Sequence, residues 1–247
     1  MSRPGSWADL LDAPVFLVNL DRSPDRFAKA TARIRAAGFS DVRRWSAADG
    51  QDAGAMQERW KALPNGPPRF DPAHPEFLAS TGAQGCALSH LELWSYIASS
   101  GIPYAVILED DIAFHPRWAE LGPIYLAETP ADWDMLYLGG QPNQEYDWRH
   151  ARIASPSLYC THAYAITAAG AARMLAEILG RPAGIYTIDN QITEAMRAPS
   201  PPIRWYLWNT MNEPADGRSD PGERFLWRNA GMVWQDWHFD TTIRAYF

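Results

Sequence analysis

The sequence predicts an α/β fold in which helices flank a mostly parallel central β-sheet. Short, continuous apolar runs, such as Val-Phe-Leu-Val at 15–18, are typical of strands buried on both faces. Longer segments with the periodicity of amphipathic helices separate these runs. An alternation of strands with helices is the pattern of the α/β class.

The first unit of this pattern is a strand, a helix and a second strand within residues 15–45. Ser23 is predicted to cap the helix, with Pro24 in its first position and Asp25 in its first turn. Gly38 is predicted to end the helix, and the second strand follows at 42–45. A unit of this kind makes a parallel strand pair joined by a right-handed crossover.

The later elements continue the alternation. Five prolines within 64–76 predict an irregular segment, either functional or flexible, after a short helix at 51–62. The other predicted helices and strands are helices at 82–100, 118–127, 168–179 and from Asp189 or Asn190, and strands at 104–108, 135–138 and 159–166. Residues 139–157 are predicted to be a loop, and no secondary structure is assigned from Ala198 onward.

Composition excludes several classes of protein. The net charge is −7 and the 22 basic residues are scattered, whereas a nucleic-acid binder needs a dense basic stripe. The two cysteines, Cys86 and Cys160, are predicted to be buried free thiols because two cysteines make no disulfide framework. No apolar run is long enough to span a membrane, which predicts a cytoplasmic protein; peripheral contact with the inner membrane face stays open.

Tryptophan is unusually frequent, with 12 residues in the chain. Most of these side chains are predicted to pack in the core. A few flat indole faces could instead stack on sugar rings. The candidates for stacking are Trp133, Trp148, Trp205 and Trp208.

Three consecutive acids, Glu109, Asp110 and Asp111, directly follow the apolar strand. If the chain stays extended, Glu109 and Asp111 face the same side and Asp110 faces the other. Carboxylates held close together repel each other unless a cation or a proton intervenes, and hard oxygen ligands suit Mn²⁺ or Mg²⁺. Ligands of open α/β sheets bind at the carboxyl ends of strands. Glu109 and Asp111 are therefore predicted to hold a metal ion, while a solvated acidic loop is the alternative.

The chain resembles glycosyltransferase family 25, which includes bacterial lipooligosaccharide galactosyltransferases and collagen β-galactosyltransferases. The motifs that carry the resemblance occur in the family's order over about 14–195, at 18–26, 47–50, 82–90, 107–112, 134–139, 161–171 and 188–191. The resemblance implies a GT-A-like fold, a UDP-sugar donor and inversion at the anomeric carbon. The sequence departs from the family pattern where Ser23 and Pro24 interrupt a run of arginines and where Ala83 replaces a common glutamate.

The resemblance also implies roles for single residues. All of 1–247 is predicted to be one domain, with the nucleotide sugar bound by 14–112 and the acceptor by 113–247. The residues expected to seat the nucleotide or to support its site are Asn19, Leu20, Asp21, Arg22, Asp49, Gly82, Ser89 and Asp110. Turn chemistry is the alternative for those at strand ends, a structural ion pair is favoured for Arg26, and His90 could be a buried structural histidine.

An inverting transfer needs a base beside the acceptor hydroxyl. Asp189, in the family-like turn, is the predicted base, and Asp134 is the reserve candidate. Capping of the following helix is the alternative role for Asp189. A third metal ligand is expected late in the chain, from Asp220 or His238.

These expectations combine into one leading function. The chain is predicted to be a Mn²⁺- or Mg²⁺-dependent hexosyltransferase, with a UDP-sugar as donor and a glycan or other hydroxyl-bearing acceptor, and with galactose as the favoured sugar. A sugar-nucleotide nucleotidyltransferase is the first alternative, although no glycine-rich loop follows the first strand. A non-catalytic glycan-binding protein is the second alternative.

Overall fold

The computed structural model describes residues 3–142, 151–210, 213 and 230–236. The helices within these residues are α1 Trp7–Leu11, α2 Pro24–Ala36, α3 Ala53–Ala62, α4 Pro75–Ala79, α5 Thr81–Ser99, α6 Trp118–Glu128, α7 Ala168–Leu179 and α8 Ile188–Arg197. The strands are β1 Val15–Asn19, β2 Val42–Ser46, β3 Tyr104–Glu109, β4 Ile112–Phe114, β5 Met135–Pro142, β6 Ile153–Ala154, β7 Leu158–Thr167, β8 Trp205–Trp208, β9 Ala230–Gly231 and β10 Val233–Gln235.

The central sheet has the strand order β2-β1-β3-β7-β5-β8-β6, and β9 also pairs with β5. β1 is parallel to β2 and to β3, as the first strand–helix–strand unit predicts. β7 is antiparallel to both β3 and β5. The α/β class is therefore confirmed, but the sheet is mixed rather than mostly parallel. Antiparallel neighbours need no crossover helix, so the order of elements alone does not reveal this reversal.

Helices cover both faces of the sheet, and each face has its own apolar core. Along β1, Phe16 and Val18 pack on the face covered by α3, α5, α7 and α8. Val15 and Leu17 pack on the opposite face with α1, α2 and α6. This alternation explains the continuous apolar run, because a strand buried on both faces has no polar side.

Local differences from the prediction have local causes. α2 and α7 have nearly the expected bounds, although the Ser23 side chain makes no capping hydrogen bond. α4 begins at Pro75, the last proline of the proline-rich segment, and Phe70 in that segment pairs with Ile185 just before α8. β5 extends to Pro142, into a region predicted to be a loop, because β7 and β9 supply backbone partners.

The described residues include both cysteines and three of the four candidate tryptophans. Both cysteines are free, but each is only partly buried. Trp133 and Trp208 are buried in the core, and the Trp205 indole donates a hydrogen bond to the Pro156 carbonyl. Trp148 lies outside the described residues. None of the described helices is long and apolar enough to cross a membrane.

Candidate active site

The candidate site is a cavity of about 800 Å³ at one edge of the central sheet. The parallel strands β1, β2 and β3 all end at this edge, and β7 begins there because it runs antiparallel to β3. β5 ends there beside the start of β7. The chain thereby brings segments that are far apart in sequence to one wall, with the first turns of α5 and α8 closing the sides.

Two glycines explain how closely α5 approaches the loop after β2. A Cβ atom on Gly85 would lie 2.4 Å from the Ala48 carbonyl oxygen, and one on Gly50 would lie 1.9 Å from the Thr81 carbonyl oxygen. Both distances are far below van der Waals contact, so only glycine fits at either position. This close approach carries Ser89 and His90 of α5 to the cavity wall.

The three acids do not continue the alternation of the strand, because β3 ends at Glu109 and residues 110–111 form a turn before β4. Asp110 is held inside the protein. Its carboxylate accepts a hydrogen bond from Asn19 Nδ2 at 2.6 Å and forms an ion pair with Arg26. These contacts give Asp110 a supporting position and confirm the structural ion pair favoured for Arg26.

Asp111 is the least satisfied of the three acids. Only 5% of it is exposed, and its Oδ1 atom has no hydrogen-bond partner in the part of the chain that the structure describes. Among the described residues, the cation recorded beside Asp111 is Arg26, whose Nη2 lies 3.8 Å from Asp111 Oδ2. Burial and then the negative charge of Glu109 raise the pKa of Asp111 to about 7. A cation beside Asp111 would remove this penalty.

Glu109 has a different environment. Its carboxylate accepts a hydrogen bond from Thr161 Oγ1 at 2.8 Å and lies 3.4 Å from His90 Nε2. Burial opposes ionisation of Glu109, but the contact with His90 and the hydrogen bond from Thr161 outweigh it and lower its pKa. The His90 ring is held from its other side, where Nδ1 lies 2.8 Å from the Tyr164 hydroxyl. Glu109 is therefore an ionised carboxylate with a fixed orientation.

Asp189 lines the same cavity from the first turn of α8. Its carboxylate accepts hydrogen bonds from the backbone N–H groups of Asn190, at 2.8 Å, and Cys160, at 3.4 Å. Burial raises the pKa of Asp189 despite these bonds. A carboxylate with a raised pKa binds a proton more strongly, which suits a general base. Cys160 itself has a φ of 71°, a strained value for a non-glycine residue.

Several residues expected to seat the nucleotide lie at the cavity but are already engaged. Asn19 is buried and its Oδ1 accepts hydrogen bonds from Arg44 at 2.7 and 3.1 Å. Ser89 Oγ accepts a hydrogen bond from the Ala48 N–H at 2.8 Å and donates one to the Gly85 carbonyl. These side chains shape the wall by fixing the loops after β1 and β2.

Other nucleotide candidates face the cavity more openly. Arg22 and Asp49 line it and form an ion pair of 2.7 Å with each other. Burial opposes ionisation of Asp49, but the hydrogen bond from Gln51 N–H and the Arg22 guanidinium lower its pKa. Leu20 and Gly82 also line the cavity.

Some candidates lie elsewhere. Asp21 is exposed, accepts a hydrogen bond from Ser46 Oγ at 2.7 Å and is not among the lining residues. The reserve base Asp134 precedes β5 at the opposite edge of the sheet, because β5 runs toward the cavity. Trp133, Trp205 and Trp208 do not line the cavity either.

The candidates Asp220 and His238 lie outside the described residues. The late segment that does reach the acids is Gln235–Asp236, where the Asp236 N–H donates to the Asp111 carbonyl at 2.5 Å.

The structure adds residues to which the sequence pattern gives no role. Thr161 orients Glu109, and Gln141 and Cys160 line the cavity. Thr161 is the first residue of the motif at 161–171, and Cys160 directly precedes it; both lie near the start of β7. Their proximity to Glu109 depends on the antiparallel pairing of β7 with β3, so strand direction would have been the signal needed to find them.

Comparisons with known proteins identify the family of the chain. The family description "Glycosyltransferase family 25 (LPS biosynthesis protein)" matches residues 12–154, more than half of the chain. A "Glycosyltransferase 25 family member" of Anopheles gambiae is 29% identical over 170 residues, which are 66% of this chain and 28% of the relative. "Procollagen galactosyltransferase 1" of Danio rerio is 26% identical over 65% of this chain and 28% of the relative.

One further similar protein is named differently. The "Inactive glycosyltransferase 25 family member 3" of Homo sapiens is 28% identical over 66% of this chain and 28% of the relative. The chain thus spans less than a third of the length of each of these three relatives. It shares this region with proteins named as transferases and with a protein named as inactive.

Proposed function

Because the chain belongs to glycosyltransferase family 25, we propose that it transfers a hexose from a UDP-sugar to a hydroxyl group of a glycan acceptor, with inversion at the anomeric carbon. Galactose is the proposed sugar, since one similar protein is named a procollagen galactosyltransferase. The reaction is proposed to take place in the cytoplasm, including the inner face of a membrane when the acceptor is anchored there.

The observation that carries this proposal is the incomplete environment of Asp111. A buried carboxylate oxygen without a partner among the described residues, beside the ionised Glu109, is what a cation site with hard oxygen ligands looks like before the cation binds. Glu109 and Asp111 are therefore proposed to hold Mn²⁺ or Mg²⁺. Such an ion neutralises the charge that develops on the leaving diphosphate.

The other residues are given roles that fit their contacts. Leu20, Arg22, Asp49 and Gly82 are proposed to face the nucleotide, because they line the cavity near the ends of β1 and β2. Asn19, Ser89 and Asp110 are proposed to support that wall, since protein groups already engage their side chains.

Asp189 is the proposed general base. Its raised pKa favours removal of the proton from an acceptor hydroxyl as the oxygen attacks the anomeric carbon. The hydrogen bonds from Cys160 N–H and Asn190 N–H fix one orientation of the carboxylate. The proton moves to an Asp189 oxygen while the bond between the sugar and the diphosphate breaks.

A non-catalytic glycan-binding role is the second candidate, because one similar protein is named inactive. The two functions make different predictions for a UDP-sugar offered without acceptor. A transferase hydrolyses its own donor slowly, since water can take the place of the acceptor hydroxyl. A binding protein releases no UDP from any donor.

The deciding experiment is a screen of UDP-sugars for release of UDP in the presence of Mn²⁺. We expect release from UDP-galactose or another UDP-hexose, and loss of that release in Asp189→Asn. The proposed activity is contradicted if no UDP-sugar is hydrolysed, or if Asp189→Asn hydrolyses as fast as the unmodified protein.

A further inference from the structure

A second group of potential ligands lies in the same cavity wall. Cys86 and His90 are four residues apart on α5, so their side chains lie on the same face of the helix. Glu109 reaches the same place from the end of β3. One donor atom from each residue, a sulfur, a ring nitrogen and a carboxylate oxygen, lies within 4.8 Å of the other two.

These separations are close to those of a small metal site. Bonds of about 2.3 Å to sulfur and about 2.0–2.1 Å to nitrogen or oxygen, at tetrahedral angles, place donor atoms roughly 3.3–3.6 Å apart. His90 Nε2 and Glu109 are already 3.4 Å apart. Only a modest movement of the Cys86 side chain would complete a three-residue set.

The surroundings of His90 also suit a metal ligand. Its Nδ1 atom lies 2.8 Å from the Tyr164 hydroxyl, which accepts a hydrogen bond from Trp94 Nε1 at 2.8 Å. Histidines that bind metals are typically held through the other ring nitrogen in this manner, which fixes the ring and its tautomer. In the metal-bound form Nδ1–H would donate to Tyr164, and Nε2 would exchange its contact with Glu109 for a bond to the cation.

We propose that Cys86, His90 and Glu109 form a site for a thiophilic divalent cation such as Zn²⁺, with the fourth position open to the cavity. The sulfur ligand distinguishes this site from the all-oxygen site for Mn²⁺ or Mg²⁺, because thiolate and imidazole ligands favour zinc-like ions. Binding converts the Cys86 thiol to a thiolate and releases its proton to solvent. Glu109 would be a ligand common to both sites.

The test uses Co²⁺ as a spectroscopic substitute for Zn²⁺ on the full chain. A thiolate bound to Co²⁺ gives a near-ultraviolet charge-transfer band, and tetrahedral Co²⁺ gives strong visible absorption. We expect both to saturate at one ion per chain and to disappear when Zn²⁺ is added. Cys86→Ser should remove the charge-transfer band. Cys160→Ser should retain it, and it is the matched control because Cys160 lines the same cavity.

A second measurement needs no variant. Zn²⁺ should slow the alkylation of Cys86 at least about tenfold, followed cysteine by cysteine with mass spectrometry, and should change the rate at Cys160 much less. The proposal is overturned if no charge-transfer band forms, if the band persists in Cys86→Ser, or if Zn²⁺ protects both cysteines equally.

This inference does not rest on the proposed transferase function. Asp111→Asn should leave the Co²⁺ charge-transfer band intact while it weakens UDP binding in the presence of Mn²⁺. A missing charge-transfer band would therefore refute only the thiolate site, and a missing Mn²⁺ effect on UDP would refute only the oxygen site.

Discussion

Asp111 and Asp134 are buried to nearly the same extent, with 5% and 6% of each residue exposed, yet their surroundings are opposite. Asp134 lies before β5 at one edge of the sheet. Its carboxylate forms ion pairs with Arg173 and Arg3 and accepts a hydrogen bond from the Arg204 N–H at 2.9 Å. Asp111 lies after β3 at the other edge, 3.8 Å from the Arg26 guanidinium, and one of its oxygens has no partner among the described residues.

The difference is the one expected between a structural carboxylate and one proposed to bind a cation. Removing a carboxylate from water is costly unless hydrogen bonds and opposite charges replace the water. At Asp134, the ion pairs and the hydrogen bond take the place of the lost water. At Asp111 the cost of burial remains, and burial together with the charge of Glu109 raises the pKa of Asp111 to about 7. Unsatisfied and shifted groups of this kind concentrate at functional sites.

The largest expected effect concerns Asp189, which lines the cavity as Asp111 does. Asp189→Asn keeps the size of the side chain but removes the base, so transfer should slow by roughly 10²–10⁴-fold. The affinity for UDP with Mn²⁺ should stay within about threefold of the unmodified protein. Steady-state rates and calorimetric titration of UDP measure the two quantities. A parallel loss of both would show that Asp189 supports the nucleotide instead.

Asp134→Asn should act on stability and leave the chemistry unchanged. It removes the negative charge between Arg173 and Arg3, and we expect a loss of about 2 kcal/mol in the free energy of unfolding. In a chain of this size that corresponds to a fall in Tm of roughly 4–8 °C. Thermal melts measure the fall, and transfer per folded molecule is the control. A stable but inactive variant would contradict the structural role of Asp134.

Ser89→Ala tests which property identifies a side chain that contacts the nucleotide. The property is either its position at the cavity or its lack of hydrogen-bond partners within the protein. Ser89 lines the cavity but is fully engaged, and alanine leaves the buried Ala48 N–H without its acceptor. We expect a loss of about 1 kcal/mol in the free energy of unfolding, with UDP affinity changing by less than threefold. A large loss of UDP affinity without a change in Tm would mean that Ser89 contacts the nucleotide directly.

The smallest expected effect is on the pH dependence of transfer. The base must be unprotonated to accept the hydroxyl proton, and burial raises the pKa of Asp189. The rate should therefore rise with pH through a midpoint above the ordinary aspartate value of about 3.9. Rates measured at saturating donor over a pH series would give the midpoint. A midpoint at the ordinary value would contradict the raised pKa.

Sequence patterns predicted the elements better than their assembly. The bounds of α7 were predicted as observed, because its apolar periodicity is strong and Gly180 follows it. The direction of β7 could not be predicted, since a strand buried on both faces reads the same in either direction. That direction decides which end of β5 reaches the cavity, which is why Asp134 could still stand as the reserve candidate behind Asp189.

The acidic site shows the same limit at the level of single residues. The run of acids after an apolar strand predicted where the carboxylates lie, and Asp110 is held there by Asn19 and Arg26. The contacts of Glu109 with Thr161 and His90 depend on two other elements packed against β3, so no local pattern contained them. Long-range packing, rather than motif spacing, determines which of the three acids lacks partners.

The most direct test of the comparison is a calorimetric titration of UDP, with and without Mn²⁺, into the unmodified protein, Asp111→Asn and Asp134→Asn. We predict that Mn²⁺ strengthens UDP binding in the unmodified protein and in Asp134→Asn. In Asp111→Asn that strengthening should fall by roughly 10–100-fold, while Tm does not decrease. An undiminished Mn²⁺ effect in Asp111→Asn would contradict the assignment of the unsatisfied carboxylate as a cation ligand.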